Sequence, residues 1–344
     1  MKVSIVAPVY NVAPYIEQFA RSIFEQTLDD IEYVFVDDCT PDSSIEILLS
    51  VLEEYPQRKP YVKIIHHKTN MGIAASRKDG CMSATGEYII NIDSDDYADR
   101  TMAEKMYVKA VENGADMVLC GFWWYGKDDK TFVLPVPVDS IENTESIKEA
   151  TLNRRGWPNV WCRMIKKSLL MSDEMIWPKE DYAEDVVIST ITTYYANKIE
   201  SIQEPLYHYC YNNGSITYQS PPERILKKYN DFLANNDIVI DFYVQKGLTE
   251  SCKRGLMVNK MYARNELLLL TSKCKYRRKW RDTYPELNKV MLQGNELFTS
   301  STRDKIWYYA VSLGLFPSFK KILLSTKLRP KGIWRSGAHN YIMS

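Results

Sequence analysis

The sequence predicts an α/β fold, a mixed sheet flanked by helices and followed by a helical C-terminal region. Short β-branched runs alternate with helix-period apolar patterns up to about residue 120. The pattern then becomes irregular and aromatic over residues 122–218, and it becomes helical after Pro221 and Pro222. Because 45% of the 344 residues are apolar, the chain can bury one large core, or a core and a smaller domain, and intrinsic disorder is excluded.

The first 120 residues contain the strand-helix repeats. The predicted strands are 3–7, 33–36, 62–65, 88–92 and 117–120, and the predicted helices are 12–26, 43–55, 73–84 and 101–113. The runs VSIVA, YVFV and VKII are continuously apolar, which is typical of strands buried on both faces of a sheet. We expect Thr40 or Asp42 to cap the second helix and Asp99 to cap the fourth.

The remaining two thirds of the chain are predicted to be organised differently. Over residues 122–218 we expect a mixed sheet edge with long loops over one face rather than another repeat. Helical patterns cover residues 225–244, 251–270 and 305–313. The predicted domains are therefore an α/β domain at 1–220, with halves 1–125 and 126–220, and a basic helical region at 221–344.

Charge is distributed unevenly along the chain although the net charge is zero. The part up to Cys252 has 25 basic and 39 acidic residues, whereas the part from Lys253 has 19 basic and 5 acidic ones. The basic residues cluster at 273–281 and 316–330 among aromatics and leucines, so residues 273–335 are predicted to contact an anionic membrane surface. A solvated helical domain is the alternative, and the lack of a nucleic-acid module disfavours nucleic acid.

The N-terminus and the cysteines predict the compartment. The apolar start MKVSIVAPVYN is too short for a signal-peptide core or a membrane span, which indicates a cytoplasmic start. Seven cysteines without a CxxC pair favour free thiols over a disulfide framework or a zinc ribbon. We expect a cytoplasmic protein, with peripheral attachment to the cytoplasmic face of the inner membrane as a further expectation.

Polar motifs directly follow four predicted strands, at the sheet edge where α/β proteins bind ligands. They are AlaProValTyrAsn (7–11), AspAspCysThrProAspSer (37–43), AsnMetGlyIle (70–73) and AspSerAspAsp (93–96). Carboxylates gathered at one edge repel each other unless a cation or hydrogen-bond donors meet them. Two carboxylates one residue apart also offer hard oxygen ligands to Mg²⁺ or Mn²⁺. A metal or ligand site is predicted there, and an acidic turn before a helix is the alternative.

Taken together, these motifs resemble those of family 2 glycosyltransferases with the GT-A fold, bacterial enzymes that use nucleotide-diphospho-sugars. VSIVAPVYN, VFVDDCTPDSS, NMGIAASRKDG and TGEYIINIDSDD occur in the order and spacing of that family over about residues 1–125. The resemblance continues more loosely through residues 161–167, 183–186 and 207–217. It implies a GT-A fold and transfer of a sugar to an acceptor hydroxyl.

The resemblance implies a nucleotide-sugar site at the first three strand ends. The implied roles are base-pocket lining for Pro8, Val9 and Tyr10, a hydrogen bond to the base for Asp38, turn support for Asp37, close backbone approach for Gly72 and a nucleotide-sugar contact for Arg77. The alternatives are a helix-capping cluster with Asp42, an ordinary loop glycine and an exposed helix arginine. Lys78 stands where the family usually has asparagine.

In the AspSerAspAsp motif the resemblance implies a metal ligand and a ribose or sugar contact. Asp95 is the first choice for the divalent cation, Mn²⁺ or Mg²⁺, and Asp93 is assigned to the second role and as a further ligand. Ser94 is grouped with the donor-binding residues, and Asp96 is a substitute ligand. The cation would stabilise the charge on the departing diphosphate.

The acidic pair at 184–185 resembles the family's source of the catalytic base. Asp185 is the first choice and Glu184 the second, and an acid-rich helix N-terminus is the alternative. His208 is a weaker candidate for a diphosphate or metal contact, since a histidine between tyrosines is usually packed. Trp157 and Trp161 either stack on a sugar or belong to the core.

The function predicted from these residues is inverting, metal-dependent glycosyl transfer in cell-surface polysaccharide synthesis. The expected donor is a nucleotide-diphospho-sugar, with UDP favoured by the family, and the expected acceptor is a saccharide or lipid-linked saccharide. Phosphoryl or nucleotidyl transfer on the same fold, and a non-catalytic binding subunit, are the alternatives.

Overall fold

The computed structural model describes residues 1–125, 130–210, 212 and 221–318. These residues fall into two compact units that divide between Asn212 and Asn213. The GlySerIleThr motif and residues 319–335 of the predicted membrane-contacting region lie outside the described residues. None of the described helices combines the length and the apolar character that crossing a lipid bilayer requires.

Nine described strands of the first unit form one mixed sheet in the order β3-β2-β1-β4-β8-β6-β9-β5, with β7 paired to β6. They are β1 (Val3–Val9), β2 (Ile31–Asp37), β3 (Val62–His66), β4 (Tyr88–Asn91), β5 (Tyr97–Ala98), β6 (Met117–Tyr125), β7 (Lys130–Val133), β8 (Arg163–Lys166) and β9 (Ile199–Tyr209). The first four parallel strands run β3-β2-β1-β4, and β8 is antiparallel to β4 and β6. The predicted α/β fold with a mixed sheet is confirmed.

Helices cover both faces of this sheet. They are α1 (Ile16–Phe24), α2 (Ser44–Glu53), α3 (Ile73–Ser83), α4 (Met102–Asn113), α5 (Thr144–Leu152), α6 (Lys167–Leu170) and α7 (Glu184–Tyr195). Side chains alternate along β1, so Ile5 packs in the core beneath α1, α2 and α4, whereas Val6 packs in the core beneath α3, α5 and α7. The central part of β1 is therefore buried on both faces of the sheet.

Two sequence expectations about the sheet need correction. The run VKII is not buried on both faces, because β3 is an edge strand and each of its residues keeps some exposure. The aromatic segment does not form only an edge of the sheet, because β8 lies in the interior between β4 and β6. Its hydrogen bonds to two antiparallel neighbours place residues distant in sequence next to β4.

The predicted helix caps also differ from the structure. Ser43 is the N-cap of α2 and Thr101 is the N-cap of α4, and neither side chain makes a capping hydrogen bond. Asp42 and Asp99 instead accept hydrogen bonds from the backbone N–H two residues later, at Ser44 and Thr101. Such aspartates form a turn that leads into the helix rather than capping it.

The second unit is helical where it is described. Its helices are α8 (Pro222–Gln245), α9 (Lys253–Asn265), α10 (Cys274–Asp282), α11 (Glu286–Gln293) and α12 (Thr302–Ser312). Trp280, Trp307 and Phe316 are fully buried in its core. The sequence patterns located α8, α9 and α12, but α10 was missed because Trp280 is its single buried residue, and α11 because it is short.

Candidate active site

The turn after β2 holds Asp37 and Asp38 by short hydrogen bonds. Asp37 accepts from the Thr40 N–H at 2.9 Å, and its other oxygen lies 2.8 Å from His66 Nδ1. Asp38, almost fully buried, accepts from the N–H groups of Met71 and Gly72 at 2.7 and 2.9 Å. The Asp38 carboxylate therefore fixes the turn that precedes α3. Its Oδ1 also lies 2.8 Å from His67 Nδ1, so the remaining acceptor capacity is on Oδ2, and the base contact stays a prediction.

Gly72 lies at the start of α3 with φ +89°, a conformation that suits glycine. A Cβ at this position would lie 2.0 Å from Asp181 Oδ1, so only glycine fits against that carboxylate. The same oxygen accepts from the Ala74 N–H at 3.4 Å. The structure shows a close approach of the Gly72 backbone to Asp181, and the predicted approach to a nucleotide stays a prediction.

Arg77 joins the two acidic motifs. It is fully buried on α3, which excludes the alternative of an exposed helix arginine. Its Nη2 donates to Asp93 Oδ1 at 2.6 Å and its Nε to Glu184 Oε1 at 3.3 Å. Burial acts to lower the pKa of Arg77, but the charges of Asp93, Glu184 and Asp185 outweigh it and raise that pKa. The Nη1 atom is buried with no hydrogen-bond partner among the described residues.

The acidic pair opens helix α7, after Ala183 in a left-handed conformation. Glu184 is buried and Asp185 is half-buried. Burial is the main cause that raises the pKa of both carboxyls, and for Glu184 the charge of Asp185 adds to it. A carboxylate with a raised pKa is a better proton acceptor at neutral pH, which suits a general base.

The AspSerAspAsp motif turns directly after β4. Ser94 Oγ donates to the Pro8 carbonyl at 2.6 Å, which ties this turn to the end of β1. Asp95 accepts from Asn212 Nδ2 at 2.9 Å. Asp96, the substitute ligand, uses both oxygens to accept from Tyr207 Oη at 2.6 Å and the Cys210 N–H at 2.7 Å. Asp96 thus anchors the end of β9.

The carboxylates of this turn suit a divalent cation. Burial, and then the nearby charge of Asp93, raises the pKa of Asp95 to about 6. The negative charges of Asp93 and Asp95 are therefore not fully neutralised by nearby positive groups. No group of three or more His, Cys, Asp or Glu side chains within the described part of the chain is arranged to hold a metal. Mg²⁺ sites commonly use one or two carboxylates together with substrate phosphates, so Asp93 and Asp95 fit such a site.

The end of β1 presents its residues in different ways. Tyr10 is 46% exposed, and Pro8 is partly exposed. Val9 is fully buried in the core, so its side chain does not reach the surface, and its carbonyl accepts from the Asp38 N–H at 3.1 Å. Of the three predicted pocket residues, Val9 offers only its backbone at this edge.

The aromatic candidates are packed against each other. His208 stacks on Tyr97 with centroids 4.2 Å apart, and its Nδ1 lies 2.9 Å from Tyr125 Oη. Burial, and then Lys130, lowers the pKa of His208 to about 4, so the ring is neutral at pH 7. Trp161 is buried and stacks on Tyr207 at 4.3 Å, which places it in the core. Trp157 packs edge-on against Phe122.

Three residues at the site were not singled out from the sequence: Asp181, Tyr207 and Asn212. Asp181 lies three residues before the acidic pair, whereas Tyr207 and Asn212 lie within the motif at 207–217. Their partners are Gly72, Asp96 and Asp95 respectively, which lie more than 100 residues earlier. No local pattern shows such pairings.

Two solved structures have a fold similar to that of this chain. TarS of S. aureus in complex with UDP-GlcNAc matches with a TM-score of 0.56 and 18% identity, over 88% of this chain and 95% of that chain. The mannosyltransferase PcManGT of Pyrobaculum calidifontis, in complex with GDP-Man and Mn²⁺, matches with a TM-score of 0.52 and 14% identity, over 93% and 87%. These two likenesses show that the chain has a GT-A type fold.

The family follows from the sequence comparison. The model of glycosyl transferase family 2 matches residues 4–175, and the chain belongs to that family. The uncharacterized glycosyltransferase EpsJ of Bacillus subtilis is 31% identical over 84% of this chain and 83% of its own length. The cholesterol galactosyltransferase of Borreliella burgdorferi is 29% identical over 63% of this chain and 62% of its own length. The predicted family and enzyme class are confirmed, and enzymes of this family and fold commonly use divalent cations.

Proposed function

We propose that this enzyme transfers a sugar from a UDP-sugar to a hydroxyl of a saccharide or lipid-linked saccharide in cell-surface polysaccharide synthesis, with inversion at the anomeric carbon. The observation that carries the proposal is the meeting of two acidic motifs at Arg77, which contacts both Asp93 and Glu184. Donor-side and base-side carboxylates therefore lie around one side chain. The complex of TarS with UDP-GlcNAc supports a UDP-linked donor.

In the proposed reaction Asp185 takes the proton from the acceptor hydroxyl, and Glu184 is the second candidate. The acceptor oxygen then forms a bond to the anomeric carbon while the bond from that carbon to the diphosphate oxygen breaks. One displacement of this kind inverts the configuration and releases the nucleoside diphosphate. Positioning and charge stabilisation supply most of the rate increase, and Arg77 holds the carboxylates in place for it.

Asp95 and Asp93 would hold the divalent cation, Mn²⁺ or Mg²⁺. When bound, the cation would neutralise negative charge on the diphosphate. The mannosyltransferase complex that contains Mn²⁺ supports this assignment by likeness of fold. We place Pro8, Tyr10, Asp38, Gly72, Arg77 and Ser94 on the nucleotide-sugar side, with Val9 contributing through its backbone.

Two parts of the proposal concern the rest of the molecule. We propose that the α/β domain ends at residue 220. We also propose that residues 273–335 contact an anionic membrane at the cytoplasmic face of the inner membrane. The exposed basic residues of α10 support this contact. Co-sedimentation with anionic vesicles that weakens as salt rises is the expected result, and absence from all vesicles at every salt concentration would refute the contact.

A screen of nucleotide-sugars tests the proposed reaction. The enzyme is incubated with each candidate donor, with and without Mn²⁺ or Mg²⁺, and the released nucleotide is identified by chromatography. We expect metal-dependent release of UDP from one UDP-sugar. Release of a nucleoside monophosphate or pyrophosphate would instead show phosphoryl or nucleotidyl transfer, and no turnover of any donor would favour a binding subunit.

A further inference from the structure

The second unit contains a small cationic cavity between α10 and α12. Its volume is about 230 Å³, and it is lined by Cys274, Arg277, Arg278, Arg281 and Ser312. The residues from α10 are spaced three or four apart, so they share one face of the helix. Three arginine side chains therefore line one cavity.

Within the part of the chain that the structure describes, few acidic side chains neutralise the positive charges of these arginines. Their one ion pair there joins Arg281 Nε to Asp282 Oδ1 at 4.0 Å, and both side chains are more than half exposed. Arg278 has no ion-pair or hydrogen-bond partner in the described ranges. Residues 319–344 contain no aspartate or glutamate, so no side-chain carboxylate from that segment can neutralise the cavity.

One guanidinium of the cavity is fixed in place. Arg277 Nη1 donates to the carbonyls of Thr271 and Ser272 at 3.0 and 2.7 Å. Gly314, with φ +77°, leaves room for this group, because a Cβ there would lie 2.5 Å from Arg277 Nη1. The other N–H donors of Arg277 keep their hydrogens for a further acceptor, and a rigid guanidinium loses little freedom on binding.

A polar group of α12 provides a second, independent observation. The Ser312 hydroxyl oxygen is buried and has no hydrogen-bond partner in the described part of the protein. Buried hydroxyl groups are rarely left without a partner. A ligand with several oxygen acceptors would satisfy this donor and the arginines together.

We infer that this cavity binds a phosphate or diphosphate group. Tetrahedral phosphate oxygens match the planar fork of arginine and form short, charge-assisted hydrogen bonds with it. The group belongs either to a soluble phosphate compound or to the head group of a phospholipid. The inference rests neither on the transfer reaction nor on the membrane contact proposed above.

Calorimetric titration of the full chain with pyrophosphate in metal-free buffer tests the inference. We expect binding that weakens as salt rises, and a loss of about 10-fold or more in the Arg278→Glu variant. Lys289→Glu makes the same charge change at an exposed residue outside the cavity and should bind as the wild type does. Ser312→Ala removes only the hydroxyl, and a smaller loss of affinity is expected.

A second titration, with vesicles of phosphatidylcholine with or without phosphatidic acid, distinguishes the two sources of phosphate. If the protein binds pyrophosphate but not the phosphatidic acid vesicles, and the binding depends on Arg278, the natural ligand is a soluble compound. If it binds the phosphatidic acid vesicles but not pyrophosphate, again through Arg278, the ligand is a lipid head group. Both results support the site. Equal affinities of Arg278→Glu and wild type, or no binding of either probe to the wild type, would overturn it. If Arg278→Glu does not fold, Ser312→Ala and Arg278→Gln decide the outcome.

Discussion

Residues 1–125 and residues 130–212 build the same sheet edge in different ways. In the first region, Asp37 ends β2 and Asp38 follows it, and both are held by backbone N–H groups and by the histidines at the end of β3. In the second region, Glu184 and Asp185 start helix α7, and the positive charge of Arg77 acts to lower their pKa values. Burial outweighs that charge and raises the pKa of both carboxyls. Asp37 and Asp38 are thus held in position by several donors, whereas Glu184 and Asp185, like Asp95 of the first region, have raised pKa values.

Arg77 is the residue on which this difference depends, because it touches both regions. Its contacts to Asp93 and Glu184 place one partly buried and one buried negative charge beside one positive charge. Removing one partner of a buried ion pair leaves the other charges unpaired in a poorly solvated site. Substitutions at Arg77 are therefore expected to affect the fold, whereas those at the carboxylates affect function.

The largest expected effect is that of Arg77→Met, which keeps an unbranched apolar stem but removes the guanidinium group and its charge. We expect a loss of about 3–5 kcal/mol in the free energy of unfolding, measured by urea titration. Arg21→Met is the control, since Arg21 pairs with Glu17 and Glu54 at the surface, where solvent screens the charges. Equal changes in the two variants would show that Arg77 does not hold the two regions together.

The two regions also differ in how far the sequence predicts them. In the first, the strands and the motifs that follow them are local patterns, so the positions of Asp38, Gly72 and Asp95 at one edge could be predicted. In the second, the placement of Asn212 beside Asp95 depends on which strands pair, and β8 enters the sheet between β4 and β6. No local propensity encodes that pairing.

The burial of individual side chains was the least predictable property of the site. Val9 belongs to the motif that suggested a pocket, yet its side chain points into the core, as alternation along β1 requires. Arg77 is the reverse case, a charged helix residue that is fully buried because carboxylates from two distant segments meet it. Both outcomes depend on packing, which sequence pattern alone does not show.

The next effect tests the second region alone. Asp185→Asn keeps the shape of the side chain but cannot accept a proton, so we expect the transfer rate to fall by about 10² to 10⁴ while nucleotide affinity stays nearly unchanged. The wild-type rate should fall as pH decreases through the raised pKa of Asp185, and this acidic limb should be lost in the variant. Wild-type transfer rates in Asp185→Asn would move the role to Glu184.

A smaller effect tests the first region. In Asp95→Asn we expect Mn²⁺-dependent UDP binding to be lost and turnover to fall by about 10², because the cation would lose one of its ligands. Stability should change little, since the amide keeps its oxygen near Asn212 and removes the repulsion from Asp93. Calorimetric titration with UDP, with and without Mn²⁺, measures the nucleotide affinity. Asp173→Asn, at an exposed residue, is the control. Equal metal-dependent affinity in Asp95→Asn and wild type would remove Asp95 from the site.

The smallest expected effect concerns His208, where β9 pairs with β5, the strand that follows the AspSerAspAsp motif. The folded-state pKa of about 4 is below the usual value of 6.5, so the unfolded chain takes up a proton in this range before the folded chain does. Stability from the neutral ring is therefore fully present above pH 6.5 and is lost as pH falls toward 4. Urea titration measures the free energy of unfolding of wild type and His208→Gln between pH 6.5 and pH 4. We expect this free energy to fall less steeply with decreasing pH in the variant. If the slopes are the same, the stacking of His208 on Tyr97 does not keep the imidazole neutral, and a charged His208 becomes available to contact a diphosphate.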